Sequence, residues 1–411
     1  MSEHATHIAS AREALEGGDA LAASRSLRLA AQTADLHTVP DALVELLGLW
    51  AETARYTGYE ALGEQCAAAA TLEDADVWNA AWSLVDVGLP EVAVPLLRRL
   101  DDRNPGTEGV VAELAVALRN SGRAREACEV LERAPEMLGA EPVAVLLAEC
   151  ALQCGDVALA RVHAPPRDAL LQGVLARHAA SGRPLDGSDL RGWHQVLTGG
   201  VLLHLSPFGL EAGMNGRYAY SQDDVGRIRM GLARAHAVMK AWGRAPRGVA
   251  ALPDPASQAV ALAAASVWGV PVSTPDRQVP LVGYDLGIDP ELLAVAEAAR
   301  ERGALVHVHA VRWTDPPELA PDTLTVLAQI HVAPWDERTQ VDPTTGAQTR
   351  VPASKAAPTT WAERIASASW EQEEAPGDEL AELLAFARAV GPARGPRRSW
   401  ALGPVSSGRF T

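Results

Sequence analysis

The chain has 411 residues, 48% of them hydrophobic and 21% charged, and its formal net charge at pH 7 is −16. This length exceeds the usual range of a single domain and predicts two domains with substantial apolar cores. The acidic balance repels phosphate groups, which argues against nonspecific nucleic-acid binding and against association with anionic membranes.

A glycine recurs at nearly constant spacing in the first half of the chain. Gly122 follows Gly88 by 34 residues, and Gly155 follows Gly122 by 33. Small and apolar residues precede the three glycines at matching offsets, namely Ala80, Ala81 and Leu84, then Leu114, Ala115 and Leu118, then Leu147, Ala148 and Ala151. This period predicts helix–turn–helix units that stack because no unit buries its apolar face alone. On these residues the first half resembles a tetratricopeptide repeat protein, and the resemblance implies a binding surface.

The repeat continues towards the N-terminus with more variation. Two further glycines upstream carry similar apolar flanks, so we expect five helical hairpins between about His4 and Ala164. Residues 1–165 are therefore predicted to form a helical repeat array. Residues 166–190 are expected to hold a helix, Arg167–Ser181, that caps the array, and a linker rich in Gly, Ser, Asp and Pro.

The hydrophobic period changes in residues 191–335. Short apolar runs alternate there with helical segments, and the expected strands are Val201–Leu205, Gly248–Leu252, Pro280–Tyr284, Ala304–Trp313 and Thr323–Val332. This alternation predicts an α/β domain with a mainly parallel sheet covered on both faces, so the expected fold class is α + α/β. Residues 336–411 lose the pattern, which predicts a long loop, a short helix and a flexible tail with Arg394, Arg397 and Arg398.

Export, a membrane span and a bound metal are all unexpected for this chain. Its four cysteines form no Cys-x-x-Cys pair and lack histidines at ligand spacing, so we interpret them as small core residues in a reducing cytosol. The N-terminus has neither a basic start nor an apolar run, and the apolar stretch Val260–Val272 is too short to cross a bilayer. We expect a cytoplasmic protein with no cofactor and no membrane or nucleic-acid partner.

The first helices of the repeats carry residues suited to binding a partner. Trp78 and Trp82 are four residues apart and share a helical face. Tryptophan and arginine dominate the binding energy of many protein interfaces. We therefore expect the inner face of the array to bind a protein or peptide through Trp78, Asn79, Trp82, Glu113, Arg119 and Asn120. The alternative is that neighbouring elements cover both tryptophans, which would make them core residues.

Histidines and tryptophans form a second group on the expected strands. His307 and His309 are two residues apart and share a strand face. Ligands of open α/β sheets bind beyond the carboxyl ends of the strands. We therefore expect a small-molecule cleft built by His307, His309, Trp313, His331, Trp335 and Asp285. The alternative is that these histidines are hydrogen-bonded packing residues and that the tryptophans cover the edge of the sheet.

The segment Pro280–Gly287, followed by Asp289 and a helix ending at Gly303, resembles the central strand–loop–helix of a type I phosphoribosyltransferase. That resemblance implies two adjacent acids that hold ribose hydroxyls, and a Thr-Thr-Gly loop that grips a phosphate at the helix N-terminus. Here Asp285 is a lone acid, the Thr-Thr-Gly is absent, and Asp289 stands where it would cap the helix and repel phosphate. We therefore expect a degenerate relative that binds no phosphoribosyl donor.

Three functions remain open at this point. The first is a cytoplasmic scaffold or adaptor whose array binds a partner protein, with a noncatalytic α/β domain. The second is an enzyme or a small-molecule-binding or nucleotide-binding protein that uses the α/β domain, with the repeats as regulator. The third is a self-assembling structural protein, that is, a homo-oligomer in which the array packs against its own α/β domain. We favour the first, because repeat arrays generally serve as binding surfaces.

Overall fold

The computed structural model describes residues 2–182, 185–208, 213–287, 289–342, 344–370, 375, 377–400, 403–405 and 407. The chain divides into two compact units, Met1–Pro165 and Pro166–Phe410. The first unit is helical, and the second contains a parallel sheet with helices. The coarse fold class expected from the sequence, α followed by α/β, is confirmed.

The first unit consists of five antiparallel helical hairpins. Their helices are α1 (Glu3–Glu16), α2 (Ala20–Ala31), α3 (Pro40–Tyr56), α4 (Glu60–Ala69), α5 (Asp74–Asp86), α6 (Pro90–Arg103), α7 (Glu108–Asn120), α8 (Ala124–Glu132), α9 (Glu141–Gln153) and α10 (Val157–His163). Short 3-10 helices at Leu36–Thr38 and Pro135–Gly139 lengthen two of the connections between hairpins. Leucines and alanines at the repeating offsets are buried between successive helices, so each hairpin covers the apolar face of its neighbour.

Every hairpin turn in this unit has the same backbone geometry. A glycine with φ between 76° and 84° follows the first helix of each hairpin, at Gly18, Gly58, Gly88, Gly122 and Gly155. The residue after the glycine donates its backbone N–H to a carbonyl five residues earlier, as Arg123 does to Leu118 at 2.8 Å. This is the Schellman arrangement that satisfies the last carbonyls of a helix and requires a left-handed residue. The glycine period in the sequence is therefore a period of helix ends.

The second unit alternates strands and helices. Its elements are α11 (Ala169–Ala180), α12 (Leu190–Thr198), β1 (Val201–Leu202), β2 (Tyr218–Gln222), α13 (Val225–Ala241), β3 (Ala250–Ala251), α14 (Pro255–Trp268), β4 (Leu281–Gly283), α15 (Pro290–Glu301), β5 (Val306–Arg312), β6 (Thr323–Val332), β7 (Arg338–Val341), β8 (Gln348–Val351), α16 (Pro358–Ser367) and α17 (Leu380–Val390). Aspartate side chains accept hydrogen bonds from the first turns of five helices, α11 to α15, which fixes where each begins.

The main sheet has the order β1-β6-β5-β4-β3, and all its pairs are parallel. The strand β2 also pairs in parallel with β6, at residues 328–332, whereas β1 pairs with residues 323–324. Together β1 and β2 therefore form one interrupted edge of the sheet. The strands β4 and β5 are buried nearly throughout, as expected where both faces of a parallel sheet are covered, although β5 includes His307 and His309.

The second unit is larger than the sequence indicated. The helix α11, expected to cap the array, belongs to this unit, where Arg177 donates to the carbonyls of Val196 and Leu197. The expected loop after residue 335 contains the antiparallel hairpin β7–β8 and the helix α16. Arg397, placed in a flexible tail, is buried and bonds to Asp322 at 2.6 Å.

Candidate functional site

The predicted binding residues on α5 and α7 differ in exposure. Trp82 is 52% exposed, and Asn79 and Asn120 are exposed, whereas Trp78 is half-buried. The ring of Trp78 lies so close to Gly109 on α7 that a Cβ at Gly109 would lie 3.6 Å from Cη2 of the tryptophan. Trp78 therefore joins neighbouring repeats, and of the two tryptophans Trp82 is the one whose side chain is exposed.

Glu113 on α7 is a half-buried carboxylate. It lies one helical turn after Gly109, on the face that packs against Trp78. Burial raises the pKa of Glu113 above its ordinary value. Among the described residues Glu113 forms no ion pair and no hydrogen bond. Arg119, the arginine near the end of the same helix, bonds instead to Glu149 at 2.5 Å and to Asn120 at 3.2 Å. A cation brought by a ligand would stabilise this carboxylate.

The acidic charge of the chain is concentrated in the first unit. Residues 1–165 contain 26 acidic residues, 12 arginines and no lysine, a formal charge of −14 out of −16 for the whole chain. Glu52 and Asp86, on the first helices of neighbouring repeats, are among the exposed acidic residues of this unit. The array therefore presents a field that attracts positively charged ligands.

A buried polar cluster lies at the carboxyl ends of the strands in the second unit. Asp223 follows β2 directly, and Tyr284 follows β4. The Nε2 atom of His309 lies 2.7 Å from Oδ2 of Asp223, and the hydroxyl of Tyr284 donates to the same oxygen at 3.1 Å. Burial would raise the pKa of Asp223, but His309 and Arg227 hold it below its ordinary value. Burial and the charge of Asp223 raise the pKa of Tyr284 well above its ordinary value.

A second carboxylate–histidine pair adjoins this cluster. The Nε2 atom of His331 on β6 lies 3.1 Å from Oδ2 of Asp285, which is partly exposed. The ring of Tyr284 lies between the pairs, 5.5 Å from the ring of His309 and 5.8 Å from that of His331. Trp335 packs edge-on against Tyr284 at 4.9 Å. The structure thus brings together four of the six expected cleft residues, Asp285, His309, His331 and Trp335.

The other two expected cleft residues lie elsewhere. His307 is fully buried and bonds to Thr323 at 3.0 Å. Trp313 is buried under the guanidinium of Arg217, whose carbon lies 5.4 Å from the ring centre. Both are packing residues in this fold.

The helix start that matched the phosphoribosyltransferase pattern is occupied by its own aspartate. The side chain of Asp289 accepts from the backbone N–H of Glu291 at 2.9 Å. Asp285 turns its Oδ1 atom to the N–H of Gly287 at 2.8 Å. The first turn of α15 thus carries a carboxylate where a phosphate would need free amides.

A further buried network was missed by sequence reasoning. Asp378 is fully buried and bonds to Arg191 at 2.5 Å, to Arg234 at 2.8 Å and to His204 at 2.6 Å. Burial would raise the pKa of Asp378, but these cationic and hydrogen-bonding partners hold it below its ordinary value. The four residues are far apart in the chain, and no local pattern marks them.

The described part of the chain contains neither a metal-binding group nor a membrane-spanning helix. Its histidines, cysteines and acidic residues include no group of three placed to hold a metal ion. The four cysteines are free, and burial raises the pKa of Cys66 to about 12. None of the described helices combines the length and the apolar character needed to span a bilayer.

Comparison with protein-family models, with curated proteins and with solved structures yields no match.

Proposed function

We propose that this protein is a scaffold or adaptor that binds a protein or peptide partner through the inner face of its helical array. The observation that carries the proposal is the exposed ring of Trp82, one helical turn from the half-buried Trp78, together with the uncompensated carboxylate of Glu113 on the helix that Trp78 contacts. Exposed tryptophans at the centre of a polar surface are frequent binding hot spots. The hairpin period supports the same proposal, because tetratricopeptide-like arrays present extended inner faces to their ligands.

We further propose that the partner segment is basic. A lysine or arginine side chain can place its charge over the face of Trp82 while it pairs with Glu113. Cation–π contacts of this kind contribute about 0.5–2 kcal/mol depending on exposure. The charge of −14 on residues 1–165 favours such a partner during approach as well as in the complex.

Replacing Trp82 by Ala should weaken partner binding more than tenfold, since truncation of an interface tryptophan costs about 2 kcal/mol or more. Affinity capture on the immobilised chain identifies the partner, and titration of the purified pair measures the dissociation constant. The double change Trp78→Ala and Trp82→Ala should abolish capture.

The matched control for this measurement is Val162→Ala, which removes an exposed apolar side chain from α10, a second helix of a hairpin. It should leave the dissociation constant within about twofold. Glu113→Gln should weaken the binding of a basic partner and leave the binding of an uncharged partner unchanged. If Trp82→Ala binds like the unchanged protein, the inner face is not the interface.

A second candidate function is binding or turnover of a small molecule at Asp285 and His331. The observation that favours it is the pair of carboxylate–histidine contacts at the carboxyl ends of strands, where Nδ1 of His309 and Nδ1 of His331 have no hydrogen-bond partner among the described residues. Such groups can transfer protons in catalysis.

Calorimetry with phosphoribosyl pyrophosphate and magnesium tests the transferase form of this second function. We expect no saturable binding at micromolar concentration, because Asp289 caps α15 and Asp285 adds a second negative charge. Saturable binding that is lost in Asp285→Asn would favour an enzyme over a scaffold.

A further inference from the structure

A cavity of about 540 Å³ lies beside the edge strand β2 in the second unit. Its described lining residues come from β2 and from the segments next to it, and they include Phe208, Arg217, Ala219, Tyr220, Arg227 and Ile330. Cavities of roughly 300–1,000 Å³ are typical of small-molecule sites. The size and position of this cavity therefore suit a small ligand bound along the edge of the sheet.

Exposed apolar side chains are concentrated around this cavity. Phe208 is 58% exposed, and Tyr220 and Ile330 are each 52% exposed. Tyr220 and Ile330 are register partners on β2 and β6, so their side chains are neighbours. Of the described residues of the second unit, only Val272 and Leu380 are other large hydrophobics with comparable exposure. A cluster of exposed apolar side chains is unfavourable in water, and such clusters commonly mark a surface that binds a ligand or a partner.

Two buried arginines line the same cavity. Arg217 is 6% exposed and Arg227 is 4% exposed. Among the described residues Arg217 forms no ion pair, and its Nη1 atom has no hydrogen-bond partner. Arg227 bonds to Ser221 and lies 3.5 Å from Asp223 and 3.8 Å from Asp224, yet among the described residues its Nε atom has no hydrogen-bond partner. No acidic residue is present among the described residues that line the cavity.

Burial makes the charged form of Arg217 less stable, and its pKa is lowered as a result. Burial lowers the pKa of this guanidinium to about 10, and no neighbouring carboxylate opposes the effect. The ring of Trp313 under the guanidinium provides only a cation–π contact at 5.4 Å. An anion bound in the cavity would supply the missing counter-charge.

We propose that this cavity binds a small molecule with an apolar, ring-containing body and one carboxylate group. The apolar body packs against Phe208, Tyr220 and Ile330, and the carboxylate is held by Arg217 and Arg227. Guanidinium groups suit carboxylates because their parallel N–H donors match the two oxygens. The site belongs to the second unit, so the proposal is independent of partner binding by the array.

The test compares two probes that differ only in charge, 2-naphthoate and 2-naphthalenemethanol, by calorimetry on the full chain. We expect naphthoate to bind at least tenfold more tightly than the alcohol. Arg217→Gln should remove most of this difference while changing the affinity for the alcohol less than twofold. Arg312→Gln, which removes an exposed arginine of β5 that does not line the cavity, is the matched control and should change neither affinity.

A second variant covers the case in which Arg217→Gln fails to fold. Ala219→Phe keeps both arginines and fills part of the cavity, so it should weaken binding of naphthoate at least tenfold. Thermal unfolding of each variant shows whether the second unit is intact. Equal affinities for the two probes, absence of naphthoate binding at millimolar concentration, or unchanged binding in folded Ala219→Phe would each overturn the proposal.

Discussion

Replacing Asp378 by Asn should lower the free energy of unfolding of the second unit by about 3–5 kcal/mol, the cost of breaking a buried ion pair from one side. Its carboxylate holds Arg191, Arg234 and His204 and also accepts from the backbone N–H of Leu205 at 3.0 Å. The amide of Asn keeps the shape but removes the negative charge that faces the buried guanidinium groups of Arg191 and Arg234. Loss of one ordinary hydrogen bond costs only about 1 kcal/mol, so most of the expected effect comes from these two cations.

Hydrogen exchange of the strand amides, measured at increasing denaturant concentration, gives the free energy of unfolding of the second unit. The matched control is Asp289→Asn, the same chemical change at an exposed helix start, where Asn caps as well as Asp. It should stay within about 0.5 kcal/mol of the unchanged protein. A loss below about 1 kcal/mol for Asp378→Asn would show that the network around Asp378 contributes little.

The second unit should lose stability as the pH falls from 6.5 to 4.5. His307 is fully buried, and burial lowers its pKa to about 3, so the folded protein keeps it neutral. In the unfolded chain histidine takes up a proton near pH 6.5, so the stability present above that pH is lost as the pH falls. One such histidine contributes up to about 1.4 kcal/mol per pH unit, or about 2.3 kcal/mol between pH 6.5 and 4.5. The lowered pKa of His204 acts in the same direction.

Unfolding at a series of pH values tests this dependence, because the lowered pKa values of Asp223 and Asp378 affect stability only below about pH 4. His307→Gln should reduce the slope above pH 4.5 by about one proton. The control His163→Gln removes a histidine from α10 in the first unit and should leave the slope for the second unit unchanged. A flat profile between pH 6.5 and 4.5 would contradict the burial of a neutral His307.

The elements that follow a local period could be predicted from the sequence. The glycine spacing located the hairpin turns because each requires a left-handed residue at the helix end, as Gly122 shows with φ of 81°. Apolar runs located β4, β5 and β6, because strands buried on both faces leave that pattern. The hairpin β7–β8 was missed, because its strands are only four residues long and β8 is largely exposed.

The candidate site in the second unit could be predicted in part, for a comparable reason. Three of its residues lie near strand ends, namely Asp285, His331 and Trp335. They could be predicted because ligands of open α/β sheets bind beyond the carboxyl ends of the strands. The pairing of Asp378 with His204 spans 174 residues and follows no period, so no local pattern indicates it. Trp313 also follows a strand, since it comes directly after β5, yet it packs beneath Arg217. Which strand ends converge is decided by tertiary packing.

The repeated turn has a consequence for how this chain can change in evolution. Each hairpin turn is closed by its own residues, through a glycine and a backbone bond such as that from Arg123 to Leu118 at 2.8 Å, and the Ser121 hydroxyl donates to the same Leu118 carbonyl at 3.0 Å. An in-frame duplication or deletion of one unit of 33 or 34 residues would therefore carry a complete turn with it. The length of the array can then vary by whole hairpins without loss of any turn.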